Sequence, residues 1–183
     1  MAARSKGTSS RGLAQRRRLA RTISLFALIA AIVACSSGCA SEQSSDSGLP
    51  AGPDLSTPGS AVRSYLDWVS YAYRTAESDV ASHTMTPWEG VRVDSYIELN
   101  RQDGRAIEQS LTLFEVRSLE AAENTATLAA YEEWDYRYFS LQTGEYVSEP
   151  LEASYDSTYT VVLQPDGRWL VDKVEVTALG EVE

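Results

Sequence analysis

Histidine and cysteine are nearly missing from this 183-residue chain, which has one His (His83) and two Cys (Cys35 and Cys39). A zinc-type site built from imidazole and thiolate therefore lacks its ligands, and no metal is expected. The calcium-loop pattern Asp-x-Asp-x-Asp-Gly is also missing. No glycine-rich loop lies between a strand and a helix to cradle a phosphate, so no cofactor is implied. His83 sits in Ser82-His83-Thr84 with Asp79 four residues earlier, but no Gly-x-Ser-x-Gly turn supplies a nucleophile for a triad. Basic residues are scarce beyond the N-terminus. Of 16 Lys and Arg, seven fall in residues 1–34, which carry no acid; the rest of the chain holds 9 against 26 Asp and Glu, a net charge of −17. That balance excludes nucleic acid, whose binding rests on neutralising phosphates, and a polybasic contact with anionic lipid.

What is present begins with an address. An Arg- and Ser-rich stretch precedes twelve uncharged residues, Ile23 to Ala34. The run is short of the roughly 20 apolar residues that a spanning helix needs. It suits the h-region of a secretory signal behind a positive n-region. Positive charge stays on the cytoplasmic side, so the acidic remainder is the exported part. Ile32-Val33-Ala34-Cys35 resembles the lipobox of bacterial lipoproteins: an aliphatic residue, small residues, then Cys. The resemblance implies a diacylglyceryl group on the Cys35 thiol and cleavage before it. Cys39, preceded by Ser36-Ser37-Gly38, is the alternative site and lacks the aliphatic residue. The organisation expected is a lipoprotein signal peptide over 1–34, a lipidated Cys with a disordered Ser/Gly/Pro tether over 35–58, an α+β domain over 59–179 and a tail over 180–183. The tether is too poor in apolar residues to offset its ordering entropy.

Thr57-Pro58 reads as the cap and first residue of a helix. Val62, Tyr65, Leu66, Val69, Ala72, Tyr73 and Ala76 continue it at helical spacing to about residue 76. A short turn over 79–82 follows. Thr86-Pro87-Trp88-Glu89 has the pattern of a capping box, opening a helix whose apolar members are Val91, Tyr96, Ile97 and Leu99 and which Asp103-Gly104 ends. From Arg105 the period changes to two. Strands are expected over about 106–119, 125–139, 148–163 and 168–177, with Gln164-Pro165-Asp166-Gly167 as the last hairpin loop.

Helices followed by an antiparallel meander predict an α+β fold with helices on one face of a curved sheet. The order of elements and the ending Ser154-Tyr155 through Tyr159 to Gly167-Arg168-Trp169 and Val176 resemble the nuclear transport factor 2-like superfamily. Tyr65-Leu66-Asp67-Trp68-Val69 is similar to the first helix of envelope lipoproteins of that kind. The final hairpin also resembles the terminal domain of plastid and cyanobacterial division proteins. The resemblance implies a cone-shaped domain. Its relatives range from SnoaL-like and ketosteroid isomerase-like enzymes to binding and dimerisation modules.

If Gln142–Gly144 centres the hairpin, Glu132 lies opposite Tyr155, Trp134 opposite Ala153 and Leu128 opposite Tyr159. Glu132 is then the one carboxylate in line with apolar core-facing residues, and a desolvated carboxylate is how general acids and bases are made. It is the only candidate catalytic residue. A pocket would be lined by Glu132, Trp134, Tyr155, Tyr159 and one of Asp172 or Lys173, depending on the register of the fourth strand. The other reading is a Glu at the sheet rim, bonded to a tyrosine or solvated. The fourth strand shows apolar residues on both faces, Trp169 and Val171 against Leu170, Val174 and Val176, which points to a homodimer through the convex sheet. The function expected is a non-enzymatic binding or assembly module of the cell envelope, lipid-anchored on the extracytoplasmic side of the cell membrane, with an envelope protein or a small apolar ligand as partner. The alternative is a SnoaL-like or ketosteroid isomerase-like enzyme in which Glu132 transfers a proton.

Overall fold

A computed structural model describes residues 48–181. The expected signal peptide, Cys35, Cys39 and residues 36–47 of the expected tether lie outside the described residues, as do 182 and 183. Helix α1 (Pro58–Thr75) starts as its sequence dictates: Thr57 Oγ1 accepts from the Ser60 amide, Ser60 Oγ accepts from the Thr57 amide (both 3.2 Å), and Pro58 fixes the first turn. It buries Val62, Tyr65, Leu66, Trp68, Val69 and Ala72. A short 3₁₀ helix, Ser78–Thr84, leads to α2 (Pro87–Gln102). The box expected at its start does not form. Thr86 Oγ1 donates instead to Asp172 Oδ1 at 2.8 Å, and Glu89 turns into the interior. The inward face of α2 is Glu89, Val93, Ile97 and Asn100, while Val91 and Leu99, expected inside, are exposed.

Four strands follow, β1 (Arg105–Ala121), β2 (Thr125–Ser140), β3 (Leu151–Leu163) and β4 (Trp169–Glu181), in the antiparallel order β1-β2-β3-β4. The α+β architecture is as expected, helices against one face of a curved sheet. The β2–β3 register is also as expected: Glu132 opposite Tyr155, Trp134 opposite Ala153, Leu128 opposite Tyr159. Irregularities interrupt β1 between Leu111 and Leu113 and again between Val116 and Ser118, and each such extra residue bends and twists its strand. The inner face and the helices enclose Tyr159, Leu128, Val62, Val161 and Val171, none more than 1% exposed.

The β3–β4 register departs from both expected forms. Thr160 pairs with Lys173 and Val161 with Val171, so Asp172 is an extra, bulged residue, and Tyr159 lies opposite Val174. Directly opposed residues share a face. The bulge therefore turns Val171 and Val174 to the helix side, where both are buried, with half-exposed Val176 beyond them, and leaves Lys173, Glu175 and Thr177 exposed on the other side. The outer face carries Glu115, Glu133 and Asp156 as well. Trp169 and Val171 thus share a side with Val174 and Val176, and Leu170, on the other, is itself buried.

Residues 48–57 are not free chain, although the tether was expected to reach 58. They run back along α1 in the opposite direction. The Gly48 carbonyl accepts from Arg74, the Ala51 carbonyl from Trp68 Nε1 (3.2 Å), and Asp54 exchanges bonds with Ser64 Oγ (2.9 and 3.2 Å). Leu55 is buried in the core, and its carbonyl takes the Trp169 amide at 2.9 Å. The segment is a strap bound to α1 and to the start of β4.

Candidate functional site

Four elements place polar groups in the interior. On β2, Glu132 and Trp134 point the same way because strand side chains alternate. On β3, Tyr159 comes in from the neighbouring strand. Trp134 Nε1 donates to Glu132 Oε2 at 2.8 Å, and the Tyr159 hydroxyl donates to Glu132 Oε1. Glu132 is 3% exposed and both of its oxygens accept from neutral donors. Burial first, then the charge of Glu132 and its hydrogen bond, hold the Tyr159 phenol far above its usual range. Ser157, also buried, lies near enough to oppose that shift, yet its hydroxyl makes no hydrogen bond of its own.

The line continues onto the helices. Tyr65 meets Tyr159 edge to face, ring centres 6.3 Å apart. Its hydroxyl donates to Glu89 Oε1 at 2.6 Å, deep under α2. Glu89, 1% exposed, is held two-pronged by Arg92, at 2.7 Å to Oε1 and 3.1 Å to Oε2, and Arg92 Nη1 also donates to the Val174 carbonyl at 2.8 Å. Burial, reinforced by Glu89, raises the Tyr65 phenol well above its usual value, and burial pushes Tyr73 up to about 12. A buried polar line thus runs Arg92–Glu89–Tyr65, then by ring contact to Tyr159–Glu132–Trp134. Its proton inventory is closed, because each carboxylate oxygen already has a donor within the protein.

Of the residues expected in a pocket, Glu132, Trp134 and Tyr159 come together by direct bonds. Tyr155, opposite Glu132, packs on the core as a partly buried neighbour. Lys173 does not join them. It lies on the outer face, half exposed, its Nζ 2.8 Å from Glu175. Asp172 does not join them either; it points to Thr86. Glu89, Tyr65 and Arg92 are the members that the sequence reading missed. The signal was an acid three residues before an Arg on a helix facing the apolar side of α1, masked by its likeness to a cap.

A separate surface groove of about 530 Å³ is lined by the strap residues Pro53–Ser56, by His83 and by Asp166–Arg168 of the last hairpin. His83 stacks edge-on against Trp68, ring centres 4.4 Å apart, and burial together with the charge of Arg168 lowers its pKa. Glu132 is not part of this groove. Among the described residues no group of three or more His, Cys, Asp and Glu is placed to hold a metal ion.

No family model and no curated protein matches the sequence. Solved structures do match by shape. The intermembrane space region of chloroplast protein ARC6 aligns with a TM-score of 0.58 at 16% identity, over 68% of this chain and 97% of that one. A nuclear transport factor 2-like superfamily protein from Salmonella enterica gives 0.46 at 8% identity, over 67% and 91%. A ketosteroid isomerase-like protein from Erwinia carotovora gives 0.45 at 13% identity, over 69% and 96%. At such identities the likeness is one of fold, and function must come from the site.

Proposed function

We propose that the chain is an extracytoplasmic lipoprotein, anchored through Cys35, whose α+β domain is a non-enzymatic binding or assembly module of the cell envelope. The observation that carries the reading is the occupancy of Glu132. A general base needs an oxygen facing the proton it takes, within hydrogen-bond reach of the substrate. Here both oxygens are bonded to Tyr159 and Trp134 in a closed interior. Glu89 is committed to Tyr65 and Arg92 in the same way. The carboxylates hold helices and sheet together, and the chemistry left to the molecule is that of its surface. The lipobox-like Ile32-Val33-Ala34-Cys35 supports the anchoring.

Two measurements test this. Intact mass of the protein from the membrane fraction of its host should show a chain starting at Cys35 with added acyl mass, lost in Cys35→Ala; an unacylated chain, or acylation at Cys39, overturns the assignment. Carbodiimide coupling of an amine to the native protein should leave Glu132 unmodified until the protein unfolds. Modification of Glu132 under native conditions would reveal an open pocket, and would favour the ketosteroid isomerase-like alternative with Glu132 as base.

A further inference from the structure

Helix α2 has a second apolar side, and it faces outward. Trp88, Val91 and Leu99 are 75%, 67% and 55% exposed. With exposed Ser95 between them they recur at three- and four-residue spacing, which aligns them in one stripe along the helix. The opposite side of α2 is already spent on Glu89, Val93, Ile97 and Asn100. We propose that this stripe lies on the lipid bilayer, so that the domain rests on its membrane along α2 rather than hanging free of it. The proposal rests on the reading that Cys35 is acylated.

The length of chain points to that occupant. The strap fixes Gly48 to the domain, so only twelve residues, 36–47, separate it from Cys35. Fully extended, the thirteen steps from Cys35 to Gly48 reach at most about 47 Å. The attachment point is also close to α2. Gly48 is bonded to Arg74 at the C-terminal end of α1, while Tyr73, the residue before it, meets Tyr96 of α2 with ring centres 5.3 Å apart. An acyl anchor at one end of so short a connection makes the encounter of α2 with the bilayer effectively intramolecular, so a weak apolar contact suffices. The residue types suit the occupant: Trp favours the membrane–water interface, and an amphipathic helix lies in its plane with aliphatic residues turned to the acyl chains. A second copy fits less well, because the chain beyond residue 34 carries a net charge of −17 and would repel itself. The same charge means that the contact is apolar in origin, so anionic lipid should weaken it and added salt should not.

The test is tryptophan quenching with the full chain in vesicles of neutral phosphatidylcholine brominated on its acyl chains. Trp68 and Trp134 are buried and Trp169 is partly buried, so Trp88 is the reporter. Emission should be quenched by the brominated lipid. Most of that quenching should be lost in Trp88→Phe and in the double variant Val91→Asp, Leu99→Asp, with circular dichroism unchanged because all three positions are exposed. Intact mass of the same sample separates the two readings. Acylated protein whose Trp88 escapes quenching overturns the membrane contact and leaves the anchor standing. Unacylated, unquenched protein overturns both. A Trp88 blue shift that grows with protein concentration and ignores lipid identifies a second copy as the occupant, and also overturns the proposal.

Discussion

Removing one hydroxyl from either end of the buried line should not cost the same. Tyr65→Phe leaves Glu89 its two bonds from Arg92, so the expected loss is that of an ordinary hydrogen bond, about 1 kcal/mol. Tyr159→Phe strips one of the two donors from Glu132, for which no ion pair is seen among the described residues, and a buried, partly unsatisfied carboxylate adds about 1–3 kcal/mol more. Urea unfolding of the two variants should rank Tyr159→Phe as clearly the less stable; equal losses would mean that Glu132 is neutral or hydrated. The phenols make a further prediction. Tyr65, Tyr73 and Tyr159 are all raised, so the native protein keeps protons that the unfolded chain gives up near pH ~10. Their contribution is whole below that pH and is lost as pH climbs toward about 12, the value for Tyr73. Tyrosinate absorbance should therefore rise together with loss of helix signal, and Tyr73→Phe should move the alkaline midpoint upward.

At the scale of elements, the decisive contact is between a residue before α2 and the bulge in β4. Thr86 Oγ1 and Asp172 Oδ1 are 2.8 Å apart, and the Thr86 amide also bonds the Val171 carbonyl at 2.9 Å. In a double-mutant cycle, Thr86→Val and Asp172→Ala should show a coupling of about 0.5–3 kcal/mol. Deleting Asp172 should do far more. It removes the extra residue and exchanges the faces of everything beyond it, driving Lys173 and Glu175 toward the core and preventing folding. This bulge also marks where the sequence stopped being readable. The β2–β3 register followed from one turn and one alternating pattern, both local. The extra residue in β4 is fixed by a partner 86 positions away, and no pattern within the strand announces it. Lys173 was misplaced for that reason. Glu89 was misread for a related one: Thr-Pro-Trp-Glu obeys the local rule for a cap, but the interior offered its carboxylate two better partners. The apolar side of α2 was misread along with it, since the helix buries Glu89 and Asn100 beside Val93 and Ile97 and exposes Val91 and Leu99. Where local rules and tertiary contacts agreed, as at the Thr57 cap and the apolar side of α1, the sequence sufficed.

For the molecule as a whole, acidity is the dominant field. The chain beyond residue 34 has 26 acids against 9 bases, and the outer sheet face gathers Glu115, Glu133, Asp156 and Glu175. The Arg117–Asp156 pair there offsets little of the repulsion, since both groups are about half exposed. Salt should therefore stabilise the protein. Raising ionic strength from about 0.01 M to 0.5 M shortens the Debye length several-fold, and a thermal midpoint that rises by a few degrees is expected. A midpoint that falls would mean that specific ion pairs outweigh the general repulsion.

The strap that binds residues 48–57 along α1 has a mechanical meaning. A load applied through the N-terminus meets its bonds in series, Gly48 first, then Ala51, Asp54 and Leu55, because the segment runs antiparallel to the helix it covers. Such a geometry peels rather than shears. The bonds yield one after another at low force and pay out slack of roughly 30 Å, about ten residues of chain, before tension reaches the cap of α1. The strap thus acts as a shock absorber for any load entering from that side, and Leu55 is the point at which peeling begins to draw on the core.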